Sequence, residues 1–141
     1  HDCAKCLSAD EKIARCKKHG LTISQVELTN PELLHAKLGA FYAREKYGVD
    51  DEEILSAIEF HTTGKPDMTI LEKIVFVADY IEPNREYFEG LDKVRELAYQ
   101  NINKAIIYSL ESTIKYNKKK NRIIHPLGIA ALEYIKEEEN E

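Results

Sequence analysis

A chain of 141 residues, 43% hydrophobic and 32% charged, is long enough to bury a core and too evenly mixed to be disordered. Twenty basic against twenty-five acidic residues leave a net charge of −5, which argues against the clustered positive surface that a nucleic-acid backbone requires. No apolar run approaches the roughly 20 residues needed to span a bilayer, so no membrane-spanning helix is expected.

The chain opens on His1-Asp2, with Lys5 following. These residues read as the middle of a helix. There is no initiator Met and no basic-then-apolar leader, so the expectation is a domain that is N-terminally incomplete here and not exported. Ser8 with Glu11 reads as a capping box, and Gly20 closes the segment that it opens. Residues 21–28 alternate like a strand, but the stretch is short and unpaired and is assigned to loops. Asn30-Pro31 predicts an N-cap with proline at the first helical position, and Leu34, Leu38 and Phe41 recur at helical spacing as far as Gly48. Asp50 and Asp51 suit the N-terminus of a further helix with Ile54, Leu55 and Ile58 as its apolar stripe, broken at residues 62–66.

Thr69 with Glu72 is a second capping box, ahead of Ile70, Ile74, Val77 and Ile81, and Pro83 stops that helix. One long helix is predicted over residues 91–118, and a last one from Pro126 carrying Leu127, Ala130, Ala131 and Tyr134. The lysine-rich stretch 115–120 reads as a solvated helix terminus, and the acidic stretch 137–139 as frayed. The expected fold is all-α, a single helical bundle spanning residues 1–141.

Chemistry concentrates in a few residues. His1 and Asp2 offer a neutral imidazole and a carboxylate side by side, a donor pair for a hard or borderline metal. Lys5, one turn on, is placed to hold a phosphate beside such an ion. Small phosphorylated substrates stay open despite the negative charge, because a bound metal reverses the local field. His61 stands at a helix end before Thr62-Thr63-Gly64, where amides and hydroxyls suit an anion, although a histidine that merely caps the helix fits too. Asp79 is a carboxylate inside the apolar run Ile74-Val75-Phe76-Val77-Ala78. Such a group is paired or ligates a metal, which leaves a salt bridge to Arg85 or a metal role. His35 lies one residue off the Leu34/Leu38 ridge and suits rim packing, a phosphate contact or a second metal.

The order His1-Asp2-x-x-Lys5, His35, His61-Thr62-Thr63-Gly64 and Val77-Ala78-Asp79-Tyr80-Ile81-Glu82-Pro83-x-Arg85 resembles the HD-domain superfamily. Within it, the chain is similar to the YqeK-type symmetrical bis(5′-nucleosyl)-tetraphosphatases from His1 to about His125-Pro126. The resemblance implies an HD helical bundle and hydrolysis of diadenosine tetraphosphate to two ADP. It implies a bound metal, iron first, with manganese, cobalt or magnesium as alternatives. It assigns His1, Asp2 and Asp79 as ligands, and His35, His61, Thr62 and Arg85 as phosphate contacts, with Asp2 and Asp79 also facing substrate. The family pattern has a further metal-binding histidine upstream of the His-Asp pair, where this sequence has nothing. In the implied mechanism a metal lowers the pKa of water, Asp2 orients it or takes its proton, and Lys5 joins the phosphate contacts in neutralising charge. A homodimer is the assembly to test.

Three alternatives compete. Cys3-x-x-Cys6 with Cys16-x-x-His19 has the spacing of a small zinc site, which would make His1-Asp2 incidental. The same fold could also act on other nucleotides or alarmones, or bind nucleotide without turnover. An odd number of cysteines, all within the first sixteen residues, is not a secreted disulfide framework, and a reducing cytoplasm is expected.

Overall fold

Ser8 begins the first helix by an extended backbone and a hydroxyl that accepts the Glu11 amide at 3.2 Å. In the computed structural model, which describes residues 1–140, this helix is α1 (Ala9–Lys18). The chain resolves into two compact units, 1–62 and 63–141, with Glu141 outside the described residues. Every regular element among the described residues is helical, as expected. None is long and apolar enough to cross a membrane.

The first unit continues with α2 (Gln25–Thr29), a 3-10 turn (Pro31–Leu33), α3 (Leu34–Glu45) and α4 (Glu52–Glu59). Helix α2 occupies the stretch assigned to loops. Its signal was Ser24 and Glu27, which form a reciprocal capping box. Asn30 makes no side-chain cap, and Pro31 opens the tighter 3-10 turn, so α3 starts only at Leu34. Asp51 caps α4 as predicted, accepting from the amides of Glu53 and Ile54. Of its predicted stripe, Leu55 is buried, Ile58 is half-buried and Ile54 faces solvent. Helix α3 packs on both α1 and α4. Ala4, Cys16, Leu34, Leu38 and Tyr42 form the core, and each fully buried leucine contributes about 1.5–3 kcal/mol.

In the second unit, α5 (Ile70–Tyr80), α6 (Leu91–Gln100) and α8 (Pro126–Glu139) all pack on α7 (Ile102–Lys119). Phe76 and Val77 of α5 enter a core with Val94, Ala105, Ile106, Leu110 and Ile135, whereas Ile70 and Ile74 are exposed. The predicted single helix over residues 91–118 is two. Asn101 adopts an extended backbone, ends α6, and its side chain accepts the Lys104 amide at 3.1 Å to start α7. The acidic end of α8 is anchored rather than frayed. Glu138 pairs with the buried Lys73 at 2.9 Å, and Glu139 accepts from the Asn101 amide group at 2.9 Å.

Candidate metal centre

Helix α3 and the end of α4 each bury one histidine. His35 is the second residue of α3 and is 5% exposed, while His61 follows the α4 C-cap Phe60 and is 2% exposed. Each ring is anchored through Nδ1, at 2.6 Å from the Glu32 carbonyl for His35 and 2.6 Å from the Ile58 carbonyl for His61. A carbonyl oxygen only accepts, so each Nδ1 carries a proton and each ring turns its Nε2 towards the other. The two Nε2 atoms stand 3.0 Å apart. Two lone pairs held this close repel unless a proton or a cation lies beside them.

Asp2 supplies the negative charge. Its Oδ1 lies 3.4 Å from His35 Nε2 and 3.5 Å from His61 Nε2, and its Oδ2 lies 3.4 Å from His1 Nε2. The His1 ring meets the His61 ring edge-on, with centroids 4.7 Å apart. His1, Asp2 and His61 each offer a ligand atom within 4.8 Å of the others. Neutral imidazole nitrogens around a carboxylate are the donor chemistry of a borderline or hard divalent ion, and these residues fit one.

The segment that delivers His1 and Asp2 is not the helix expected. Residues 1–7 form successive turns, with the Lys5 amide bonded to the Asp2 carbonyl at 3.0 Å and the Leu7 amide to the Ala4 carbonyl at 3.3 Å. Extended Ser8 then caps α1, so the turns cannot run on into it. Close approach of α3 holds the segment in place. A Cβ on Gly39 would lie 2.9 Å from the His1 carbonyl oxygen, and Cys3 Sγ points at the Gly39 carbonyl, 3.8 Å away. Lys5 is exposed and lies at the other end of the turn that Asp2 opens, its amide bonded to the Asp2 carbonyl. Thr62 is half-buried beside His61.

The second unit holds the remaining predicted residues. Asp79, on the last turn of α5, keeps a side chain 19% exposed. Arg85 donates from Nη2 to the Asp79 backbone carbonyl at 2.8 Å and reaches Oδ2 only at 3.9 Å. The ion pair is loose, and the guanidinium chiefly ties down the end of α5. Arg85 Nε is buried without a hydrogen-bond partner. A side chain at Gly64 would be strained by φ +70°, and its Cβ would press on the Ala131 Cβ at 3.3 Å.

The cysteine alternative fails on placement. Cys16 is sealed in the core, where burial pushes its thiol up and away from the thiolate form that a metal needs. His19 is stacked on Phe41 with centroids 4.4 Å apart. No cysteine joins a converging ligand group among the described residues. Conversely, sequence reasoning missed Glu32 and Lys12. Glu32 stands three residues before His35, and that spacing was the available signal.

The profile described as HD domain matches residues 1–84. A symmetrical bis(5′-nucleosyl)-tetraphosphatase of Halalkalibacterium halodurans is 48% identical over 130 residues, covering 92% of this chain and 68% of that protein. One from Bacillus subtilis is 52% identical over 97 residues, covering 69% of this chain and 52% of that protein. The chain therefore spans roughly half to two thirds of the length of these relatives. A crystal structure from Clostridium acetobutylicum, described as a predicted HD superfamily hydrolase involved in NAD metabolism, is 43% identical. It aligns with a TM-score of 0.91 over 98% of this chain and 72% of that one. The HD domain implies a divalent metal ion, in keeping with the donor set around Asp2. The chain belongs to the HD-domain family and is similar, over most of its length, to symmetrical bis(5′-nucleosyl)-tetraphosphatases.

Proposed function

We propose that this chain, acting as one HD-type domain, hydrolyses dinucleoside polyphosphates symmetrically and takes diadenosine tetraphosphate to two ADP. The observation that carries the reading is the convergence of His1, His35 and His61 on the Asp2 carboxylate, set beside the likeness to the named tetraphosphatases. His1 and Asp2 hold the metal, and Asp79 completes the ligand set. Support for Asp79 comes from its place in the apolar helix α5. Iron is the ion we expect, with manganese, cobalt or magnesium as substitutes.

A divalent ion held by these donors would supply a water of lowered pKa and an electrophile for a phosphoryl oxygen. Asp2 orients the attacking water and takes its proton. A new bond from water oxygen to the central phosphorus forms as the bridging P–O bond breaks, and ADP leaves. Lys5, Thr62 and Arg85 neutralise charge on the phosphoryl oxygens and the departing ADP. His35 and His61 contact the same phosphates when Nε2 carries a proton. The setting is cytoplasmic, and the exposed Ile70 and Ile74 of α5 support a homodimer, which light scattering tests.

The ring tautomers favour a second reading for two of these residues. With both Nδ1 atoms bound to carbonyls, the two Nε2 atoms and Asp2 Oδ1 beside them would be able to hold a second ion. Metal analysis separates the readings, at one ion per chain or two. Anion-exchange analysis of products from diadenosine tetraphosphate tests the function itself. ADP alone is expected, and ATP with AMP overturns it.

A further inference from the structure

A lysine is out of place on α1. Lys17 and Lys18 are exposed, but Lys12 is buried at 2% exposure, its ammonium withdrawn from water. Withdrawal of a charge is unfavourable unless a partner compensates it. The partner is Glu32, whose Oε2 lies 2.9 Å from Lys12 Nζ. The other oxygen of that carboxylate, Oε1, lies 3.4 Å from His35 Nδ1, the atom that also donates to the Glu32 backbone carbonyl at 2.6 Å. Glu32 thus faces the His35 N–H with both its carbonyl and its carboxylate, and Lys12 fixes which oxygen turns that way.

We infer that Lys12 and Glu32 are positioning residues for His35, working as a buried cation, a carboxylate and an imidazole in series. The carboxylate, 3.4 Å from the Nδ1 whose N–H the Glu32 carbonyl accepts, places negative charge behind the ring, so that Nε2 becomes a stronger donor towards the centre formed with Asp2 and His61. A carboxylate behind a ligating histidine orients the ring and raises its basicity. Glu32 alone would be free to rotate, since its side chain is 52% exposed. The ion pair to Lys12 removes that freedom. Neither residue touches substrate.

The inference rests on the second reading above, in which His35 ligates an ion. Mn²⁺ binding to the metal-free chain, followed by the EPR signal of free Mn²⁺, tests both separately. His35→Ala should lower the number of bound ions from two to one; if it does not, the reading of His35 fails. Given that loss, Glu32→Gln should weaken the second ion by about 10–100-fold, the usual effect of removing such a carboxylate. It should also move the His35 Nδ1 proton upfield in NMR of the metal-free chain, while the tautomer stays as it is. The double variant Lys12→Met/Glu32→Gln leaves no unpaired buried charge and should show the same two changes. Lys12→Arg should retain wild-type affinity. Affinity and proton shift unchanged in either folded glutamate variant would overturn the inference and leave the pair a structural salt bridge.

Discussion

His35 and His61 hold their Nε2 atoms 3.0 Å apart while both Nδ1 atoms are bound to backbone carbonyls. Neither ring can turn its proton inward without losing a short hydrogen bond. The pair is therefore held to share a proton or a cation, and on the reading in which it ligates an ion His61→Ala weakens metal binding at least tenfold and lowers kcat/KM by a larger factor. Equilibrium dialysis and steady-state kinetics check the two effects. Saturating metal, at about 100 times Kd, should in turn stabilise the wild-type chain by about 2.7 kcal/mol in thermal unfolding.

Asp79 distinguishes a ligand from a helix anchor. Arg85 engages its carbonyl, a contact that Asp79→Ala keeps. Loss of metal in Asp79→Ala, with helix content unchanged by circular dichroism, is the expected result. Full metal occupancy would return the carboxylate to its loose pairing with Arg85.

Gly39→Ala tests how the His1 segment is seated. In a helix interior the change would gain about 1 kcal/mol. Here the new Cβ meets the His1 carbonyl at 2.9 Å, and overpacking of this kind costs about 1–3 kcal/mol. The backbone oxygen cannot swing aside as a side chain would, so the clash outweighs the propensity. We expect denaturant unfolding to show a loss of up to about 2 kcal/mol, together with weaker metal binding because His1 is displaced.

Glu27 predicts a pH dependence of stability unrelated to the metal centre. Burial pushes its carboxyl up, but the Ser24 amide and the Lys37 ammonium, each 2.9 Å away, outweigh burial and hold it below the ordinary carboxylate range. A depressed folded-state pKa stabilises the chain above the unfolded-state value, and that stability is lost as pH falls through the folded one. Glu27→Gln should thus be less stable than wild type by about 1.5–3 kcal/mol at neutral pH. The gap should close below about pH 4, which urea titrations across pH would reveal.

Much of the fold was legible because its signals are local. Ser8, Asp51 and Thr69 all cap the helices that follow them, as read from the sequence, whereas the cap that His125 gives α8 was not read. Asn101 was missed because apolar periodicity runs through it, and only a side chain accepting its own downstream amide reveals the break. Ile54, Ile70 and Ile74 show the reverse error, apolar residues at helical spacing that face solvent. In the site, His1, Asp2, His35 and His61 could be named from residue type and from likeness to a family. That His1-Asp2 sits on a turn and not a helix could not be read, since it depends on α3 coming close at Gly39. The Nδ1 contacts were missed although they are local, since each ring bonds the carbonyl three residues before it, Glu32 for His35 and Ile58 for His61.

The most direct test of the central claim is to turn over diadenosine tetraphosphate in ¹⁸O-labelled water with the metal-loaded chain and weigh the products. Attack at a central phosphorus predicts ADP as the only product, with one of each two ADP molecules carrying the label. ATP and AMP in equal amounts, or turnover that persists in Asp2→Ala, would contradict it.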